Sequence, residues 1–252
     1  MRAWIQVVKM HAYHLTVLFM ISASVSACGR TSRVPGDVVE IIRAIDANDI
    51  PKLTALLDRG ATPTPKDSPL SVLHAAITQF RDGKLICDDT ALQLLLDHGA
   101  DPNFVDQDSG ASALEDALAM GDVRCAALLK QAGANVRAHG HSTQSALQFA
   151  VKGAVRTADT RILKLVLSWD IDPNISSGGR VSTALHEAAW ANPAQADAAG
   201  AVITELLRSG ADPCIADSEG NTALDIARNL KRSASIQRLL ADAMRECAGR
   251  RG

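Results

Sequence analysis

The sequence predicts an all-α solenoid of about six stacked helix-turn-helix units, because two short phrases return along the chain at a nearly constant interval. One phrase ends in a glycine or a residue that replaces it, and the intervals between these positions are 39, 34, 37 and 40 residues. The positions are Gly60, Gly99, Gly133, Asp170 and Gly210. Self-similarity at this period indicates helix pairs that bury their apolar sides against neighbouring pairs.

The second phrase, Ser/Thr-x-Leu, predicts the start of a helix about a dozen residues after each glycine position. It begins at Ser71, Ser112, Ser145, Thr183 and Thr222. Ser and Thr favour the start of a helix because the hydroxyl accepts a hydrogen bond from a backbone amide that has no helical partner. The glycine allows the left-handed residue that ends the second helix of a pair. The Asp-Pro turn that often follows prevents the helix from continuing.

Together the two phrases resemble the ankyrin repeat, whose signature is T-P-L-H-x-A at one helix start and L-L-x-x-G-A at the next helix end. The resemblance covers roughly residues 37–247 and implies β-hairpin or turn fingers between the units. The signature histidine is present as His74 and His186. In the family this side chain ties the finger backbone together, so units with another residue there are expected to be less rigid. Those residues are Glu115, Gln148 and Asp225.

The units also depart from the family in length. From Ser/Thr to the next glycine position the family pattern implies 21 residues, whereas the first four intervals here are 28, 21, 25 and 27. We therefore expect insertions between paired helices, around residues 79–89, 152–160 and 190–200. Residues 37–61 and 214–247 are expected to be the N- and C-terminal capping units.

Residues 1–27 differ from the repeats and are typical of a secretory signal. Arg2 and Lys9 are their only charges, and a short apolar run leads to Val25-Ser-Ala-Cys28. This run is shorter than the roughly 20 apolar residues of a membrane span. Because the end resembles the bacterial lipobox, the resemblance implies a lipidated Cys28, a tether over 28–36 and a periplasmic site, on the outer membrane. Cleavage that leaves Cys28 as a plain thiol is the alternative.

Charge argues against a nucleic-acid partner. Removing residues 1–27 takes two of the 26 basic residues and none of the 28 acidic ones, so the formal charge becomes about −4, without the basic stripe that nucleic acids require. No catalytic motif is present, and His139 and His141 lack an apparent third metal ligand. We expect a non-enzymatic monomer without a cofactor or metal.

Four further cysteines predict disulfides if the chain folds in an oxidising compartment, and three connectivities are possible. Cys214 and Cys247 each lie four residues after a glycine position, the second of which is occupied by Ala243. Cys87 and Cys125 both lie near the starts of second helices. The hypothesis is therefore Cys87–Cys125 and Cys214–Cys247, with the free tail, including 248–252, curling in at Cys247. Four free thiols are the alternative.

The resemblance implies that a protein partner contacts the finger tips and the inner helix face. Carried onto this sequence, the candidate contact residues are Gln79, Met120, His141, Gln144, Lys152, Arg180, Trp190 and Glu219. Trp190 stands out because Trp and Arg are over-represented among residues that carry binding energy. Packing of Trp190 against its own insertion is the alternative.

Three functions remain open from the sequence. The first is a periplasmic protein-binding module that acts as an immunity protein against a toxic effector, as is proposed for bacterial ankyrin lipoproteins that this chain resembles. The second is a stabilising partner of a resident periplasmic enzyme. The third is a hydrolase whose site is unrecognised, which would require titratable groups clustered in a cleft.

Overall fold

The structure, a computed structural model, describes residues 35–64, 71–81, 84–106, 110–137, 144–177 and 181–251. These ranges contain twelve α-helices and one two-stranded antiparallel sheet. The helices are α1 (Gly36–Asp46), α2 (Ile50–Asp58), α3 (Val72–Ile77), α4 (Asp89–Asp97), α5 (Ala113–Met120), α6 (Val123–Gln131), α7 (Ala146–Thr157), α8 (Arg161–Leu167), α9 (Ala184–Ala189), α10 (Ala196–Arg208), α11 (Ala223–Asn229) and α12 (Ala234–Arg251). The strands are β1 (Gln79–Arg81) and β2 (Lys84–Ile86).

The helices form six pairs that stack in chain order, which confirms the predicted all-α repeat fold. The first helices of the pairs, α1, α3, α5, α7, α9 and α11, contact one another in succession. The second helices α2, α4, α6 and α8 do the same, and α10 contacts both α12 and α7. One apolar cluster runs through the whole stack, so each layer buries its Leu and Ala side chains against its neighbours. None of the described helices has the length and apolar composition that spanning a membrane requires.

The helix boundaries follow the two repeated phrases. Ser71 accepts a hydrogen bond from the amide of His74 at 3.2 Å, and Ser145 accepts one from Gln148 at 3.3 Å, as N-caps do. All five predicted glycine positions have positive φ angles, which end the second helices. The angles are +90° at Gly60, +83° at Gly99, +94° at Gly133, +57° at Asp170 and +91° at Gly210.

Two of the three insertions lie between paired helices, as predicted, whereas the third lengthens a helix. In the second unit the extra residues form the β1–β2 hairpin, in which Phe80 pairs with Leu85. In the fourth unit they lengthen α7 itself, which extends to Thr157, and the next residue, Ala158, has a left-handed φ of 55°. In the fifth unit a short 3₁₀ turn, Pro193–Gln195, precedes α10.

The last helix does not end at the sixth glycine position. Ala243 lacks the freedom of glycine to adopt a left-handed conformation, and α12 continues to Arg251. Most of the predicted 248–252 tail is therefore helical. Cys247 lies on this helix with its Cα 6.4 Å from that of Cys214, so the expectation that a free tail curls in at Cys247 is wrong.

Hydrogen bonds from the first helices hold the bases of the fingers. Nε2 of His186 contacts the carbonyl oxygen of Asn221 at 3.1 Å. Nε2 of Gln148 donates to the carbonyl of Ser182, the matching finger position, at 2.9 Å. Glutamine therefore makes in the fourth unit the finger contact that histidine makes in the fifth, because its side-chain amide reaches the equivalent carbonyl.

A second set of hydrogen bonds joins the turns that follow the second helices. Oδ1 of Asn103 accepts from the amide of Asn135 at 2.8 Å, and Oδ1 of Asn174 accepts from Asp212 at 2.6 Å. In the first turn Oγ1 of Thr64 accepts from an amide at the same place, 2.9 Å away. We call these contacts turn clasps. In the fifth unit the clasp position is occupied by Cys214, which the disulfide to Cys247 links to the last unit.

Candidate protein-binding surface

The exposed part of the first helices is set by one position of the ankyrin-like signature. In Ser/Thr-x-Leu-His-x-Ala, the residues at the Leu and Ala positions are buried between layers. The second variable position is half-buried as Asp116 in α5, Phe149 in α7 and Glu187 in α9. These three helices are consecutive in the stack, so the three side chains lie along one surface, which we call the first-helix face.

Four side chains meet at the centre of the first-helix face. Nε2 of Gln144 donates to Oε2 of Glu187 at 3.2 Å, and Nζ of Lys152 also donates to Oε1 of Gln144. Nζ of Lys152 lies 3.9 Å from Oε1 of Glu187 and 5.3 Å from the ring centroid of Phe149. We call Gln144, Phe149, Lys152 and Glu187 the α7–α9 cluster. It joins two repeat units through polar contacts, and the Lys152 side chain remains 39% exposed.

The contacts of the Glu187 carboxylate do not fully offset the cost of burying its charge. Burial raises the pKa of Glu187, and the charge of Lys152 and the hydrogen bond from Gln144 only partly offset this effect. The side chain is 14% exposed, so a binding group can reach it while most of its surroundings exclude water. Charged groups in such places interact more strongly than on an open surface.

Trp190 follows Glu187 by three residues and keeps helical backbone angles, φ −78° and ψ −8°. Side chains at this spacing lie on the same side of a helix, so Trp190 extends the α7–α9 cluster toward the inter-helix edge. The residue is half-buried and packs against the core. Its carbonyl accepts from Nη2 of Arg232 at 2.9 Å, which anchors the end of α9 to the last unit. Trp190 is thus held by the core and by Arg232, while part of the residue remains exposed.

The structure separates the sequence-predicted contact residues into groups. Gln144 and Lys152 meet in the α7–α9 cluster and Trp190 adjoins it. Glu219 is exposed on the last finger, where its amide donates to Asp217 at 2.9 Å. The described residues do not include His141, Arg180 or Cys28, the residue predicted to be lipidated.

Two of the predicted contact residues, Gln79 and Met120, are buried, so the prediction that they lie on the surface is wrong. Gln79 is 3% exposed, because its side-chain amide donates to the carbonyl of Ala75 at 2.6 Å and to Oδ1 of Asp46 at 3.2 Å. Met120 is 9% exposed at the end of α5, where the absence of a side chain at Gly153 lets α7 approach. Sequence reasoning had also missed Phe149 and Glu187, although both occupy the variable position of the signature.

Both predicted cysteine pairings are present in the structure. The Cα atoms of Cys87 and Cys125 are 6.5 Å apart, within the range of disulfides. Cys87 follows the β1–β2 hairpin, and Cys125 lies in the first turn of α6. The hairpin provides the chain length that this bridge requires. Both disulfides therefore link consecutive units, and neither belongs to the first-helix face.

No family model matches the chain, and no curated protein matches it. The ankyrin repeat protein EF0377 is similar in structure, with 23% identity, 81% of this chain and 97% of that chain covered, and a TM-score of 0.66. An ankyrin repeat domain, ABAYE2397 of Acinetobacter baumannii AYE, has 24% identity, 81% and 96% coverage, and a TM-score of 0.66.

A third similar structure comes from a complex. A chain of the complex between the predatory endopeptidase Bd0816 from Bdellovibrio bacteriovorus and the immunity protein Bd3460 has 19% identity to this chain. The match covers 83% of this chain and 99% of that one, with a TM-score of 0.64. At these identities the likeness concerns the fold, and it agrees with the repeat pattern read from the sequence. The chain therefore has the fold of an ankyrin-repeat protein.

Proposed function

We propose that this chain is a non-catalytic protein-binding module, lipid-anchored in the periplasm, that acts as an immunity protein by neutralising a toxic effector. The first-helix face around Trp190 carries this proposal. It combines two half-buried aromatic side chains, Phe149 and Trp190, with the charged pair Lys152 and Glu187. Aromatic side chains are enriched in protein interfaces, and Trp is over-represented among the residues that dominate the binding energy.

The stack itself supports a binding function over a catalytic one. The leucine and alanine positions of the first helices hold the layers together, which leaves the variable positions available for recognition. The fold shared with a chain of the endopeptidase–immunity protein complex supports the choice of a toxic effector as partner. That likeness is one of fold, at 19% identity, and a direct binding experiment is therefore required.

The anchoring part of the proposal rests on Val25-Ser-Ala-Cys28. Acyl chains on Cys28 would hold the repeat domain at a membrane surface, since each buried CH₂ contributes about 0.8 kcal/mol and more than one chain gives stable attachment. The test is labelling of growing cells with radioactive palmitate. We expect label on the wild-type chain and none on Cys28→Ala. Equal label on both would contradict the anchor.

The binding partner is best found by crosslinking from the proposed surface. A photo-reactive amino acid replaces Trp190 in the whole chain, and a matched probe replaces Trp169, a second half-buried tryptophan that packs against the core beside a second helix. We expect one protein to crosslink from position 190 and not from 169. Crosslinking from 169 alone would place the contact elsewhere.

Affinity and activity then separate the candidate functions. We expect Trp190→Ala to weaken binding to the purified partner by about tenfold or more, equivalent to about 1.4 kcal/mol, and Trp169→Ala to leave it nearly unchanged. Loss of the partner's toxic activity on binding supports immunity. A partner that stays active and melts at a higher temperature in the complex indicates an enzyme-stabilising role instead. A Trp190→Ala chain that binds normally would contradict the proposed face.

A further inference from the structure

Each disulfide of this chain has an aspartate beside it. Around Cys87–Cys125 the carboxylate is that of Asp122, and around Cys214–Cys247 it is that of Asp212. In each set one sulfur from each cysteine and one carboxylate oxygen all lie within 4.8 Å of one another. Once reduced, each cluster offers two cysteine sulfurs and one carboxylate, and both kinds of group bind zinc in proteins.

In each cluster the backbone amide of a cysteine donates to the carboxylate, which caps the start of α6 at Asp122 and closes a turn at Asp212. The amide of Cys125 donates to Oδ1 of Asp122 at 2.9 Å, and the amide of Cys214 donates to Oδ1 of Asp212 at 2.8 Å. Oδ1 of Asp212 is also 3.2 Å from Sγ of Cys247. The cysteine backbone thus fixes each carboxylate next to the sulfurs, and such preorganisation favours metal binding.

The turn geometry alone does not explain the cysteine at position 214. Asp101 and Asp172 make the same aspartate turn, and each accepts a 2.8 Å hydrogen bond from the amide two residues later. In those turns the later residue is Asn103 or Asn174, which forms a turn clasp. At position 214 the clasp asparagine is replaced by a cysteine, whose sulfur lies beside the carboxylate of the turn.

We propose that, once its disulfides are reduced, the chain binds one zinc-class divalent ion at each of these clusters through two thiolates and one carboxylate. Thiolates select zinc over magnesium or calcium, and a water would complete the tetrahedron. Two Zn–S bonds of about 2.3 Å at a tetrahedral angle place the sulfurs about 3.8 Å apart. Because bonded sulfurs are about 2 Å apart, reduction must let the two sulfurs of each cluster separate by roughly 2 Å before an ion binds.

Both steps balance chemically. An external dithiol supplies two electrons and two protons to each disulfide and leaves as a disulfide itself, so two protein thiols form. Binding of a divalent ion then displaces the two thiol protons, because the thiolate is the ligand. Cys87, Asp122, Asp212 and Cys214 are half-buried, which gives the reductant and the ion access to each cluster. The junction between units stays linked in either redox state.

Cobalt(II) is a suitable probe because its bonds to thiolates absorb light. The whole chain is reduced without oxygen, the reductant is removed, and Co²⁺ is titrated and then displaced with Zn²⁺. We expect two ions per reduced chain, a thiolate-to-cobalt charge-transfer band, and no such band for the oxidised chain. Replacing either cysteine pair by serine should leave one ion. A reduced wild-type chain without the band would overturn the proposal.

Aspartate variants test the third ligand. Asp122→Asn and Asp212→Asn keep the amide-accepting oxygen, and we expect each to weaken one site by about tenfold or more. Asp172→Asn, in a turn without thiols, is the matched control and should bind as the wild type does. Equal binding by all three variants would show that the carboxylates are not ligands. Binding by a chain in which all four cysteines are replaced by serine would show that the ions are adventitious.

Folding gives a second measurement. If the reduced chain loses helix without metal, Zn²⁺ should restore its far-ultraviolet circular dichroism. If the chain stays folded, Zn²⁺ should raise its melting temperature, since an ion that binds only the folded state stabilises it. Zn²⁺ that does neither overturns the proposal.

Discussion

The backbone amide of Asp212 donates a 2.6 Å hydrogen bond to Oδ1 of Asn174, and Nδ2 of Asn174 donates back to the carbonyl of Gly210 at 3.0 Å. One side chain thus holds the turn of the next unit through both its groups. Asn103 makes the same pair of bonds with Asn135 and Gly133. In a stack whose units touch only their neighbours, such contacts contribute directly to the coupling between layers.

Removal of one turn clasp should therefore destabilise the stack. We expect Asn174→Ala to lower the free energy of unfolding by about 1 to 2 kcal/mol, because two modest hydrogen bonds are lost. Urea denaturation followed by circular dichroism measures it. A change below a few tenths of a kcal/mol would mean that water replaces the clasp without cost.

The third unit offers the reverse experiment. Arg137 occupies its clasp position, and among the described residues no side chain accepts from the amide of Asp172. We expect Arg137→Asn to raise the free energy of unfolding by about 0.5 to 1 kcal/mol by forming the missing bond. Arg137→Ala is the control, since it removes the same side chain without providing an acceptor, and it should give no gain.

Two helical glycines are expected to respond oppositely to alanine. At Gly153 in α7 an added Cβ would lie 2.1 Å from the carbonyl oxygen of Leu118 and 2.7 Å from the amide of Gly121. Backbone atoms must move apart, so Gly153→Ala should cost about 1 to 3 kcal/mol or more. At Gly200 in α10 nothing lies within 4 Å of the added atom, and Gly200→Ala should stabilise by about 0.5 to 1 kcal/mol. Thermal unfolding of both variants compares them, and equal effects would contradict the close approach of α5 and α7.

The end of α7 gives a prediction about backbone strain. Ala158 has a left-handed φ of 55°, whereas Ala132, which follows α6, has an ordinary φ of −74°. An alanine held in the left-handed conformation destabilises the folded state by about 1 to 2 kcal/mol. Replacing alanine by glycine lowers stability by about 0.4 to 1 kcal/mol, because the unfolded chain gains conformational freedom. We therefore expect a net gain of about 0.5 to 1 kcal/mol for Ala158→Gly and a loss for Ala132→Gly. If both substitutions shift the urea midpoint in the same direction, the proposed strain at Ala158 is contradicted.

His74 of the second unit contacts the carboxylate of Asp116 in the third unit. Burial lowers the pKa of His74, but the carboxylate of Asp116, 2.5 Å from Nδ1, and the charge of Asp106 outweigh burial, so the pKa is raised overall. A raised pKa in the folded state stabilises the fold fully below the unfolded value of 6.5. The contribution is lost as the pH rises through the folded value.

Asp116→Asn should reveal this dependence. It should lower the free energy of unfolding most below pH 6.5, and the difference from the wild type should shrink as the pH rises past the folded pKa of His74. The pKa of His74, followed by nuclear magnetic resonance, should fall in the variant because burial then acts without its nearest carboxylate. A constant difference across this pH range would show that the pair contributes by packing alone.

The sequence by itself determined the repeat architecture of this protein. The local sequence is enough to predict the helix starts at Ser71 and Ser145 and the left-handed residue at Asp170. These features depend on hydrogen bonds and backbone angles within a few residues. The cysteine pairing was also predictable, because the repeat register relates Cys214 to Cys247 across one unit. The register did not predict that Cys247 lies on a continuing helix.

Only the tertiary structure decided which candidate surface residues are exposed. Gln79 fits the family position for contact, yet its amide is buried because the distant Asp46 and its own helix both accept from it. Glu187 and Phe149 form the exposed cluster only because α7 and α9 pack side by side. Exposure depends on neighbours supplied by other units, and a repeat pattern specifies where those neighbours stack without specifying how far each side chain projects beyond them.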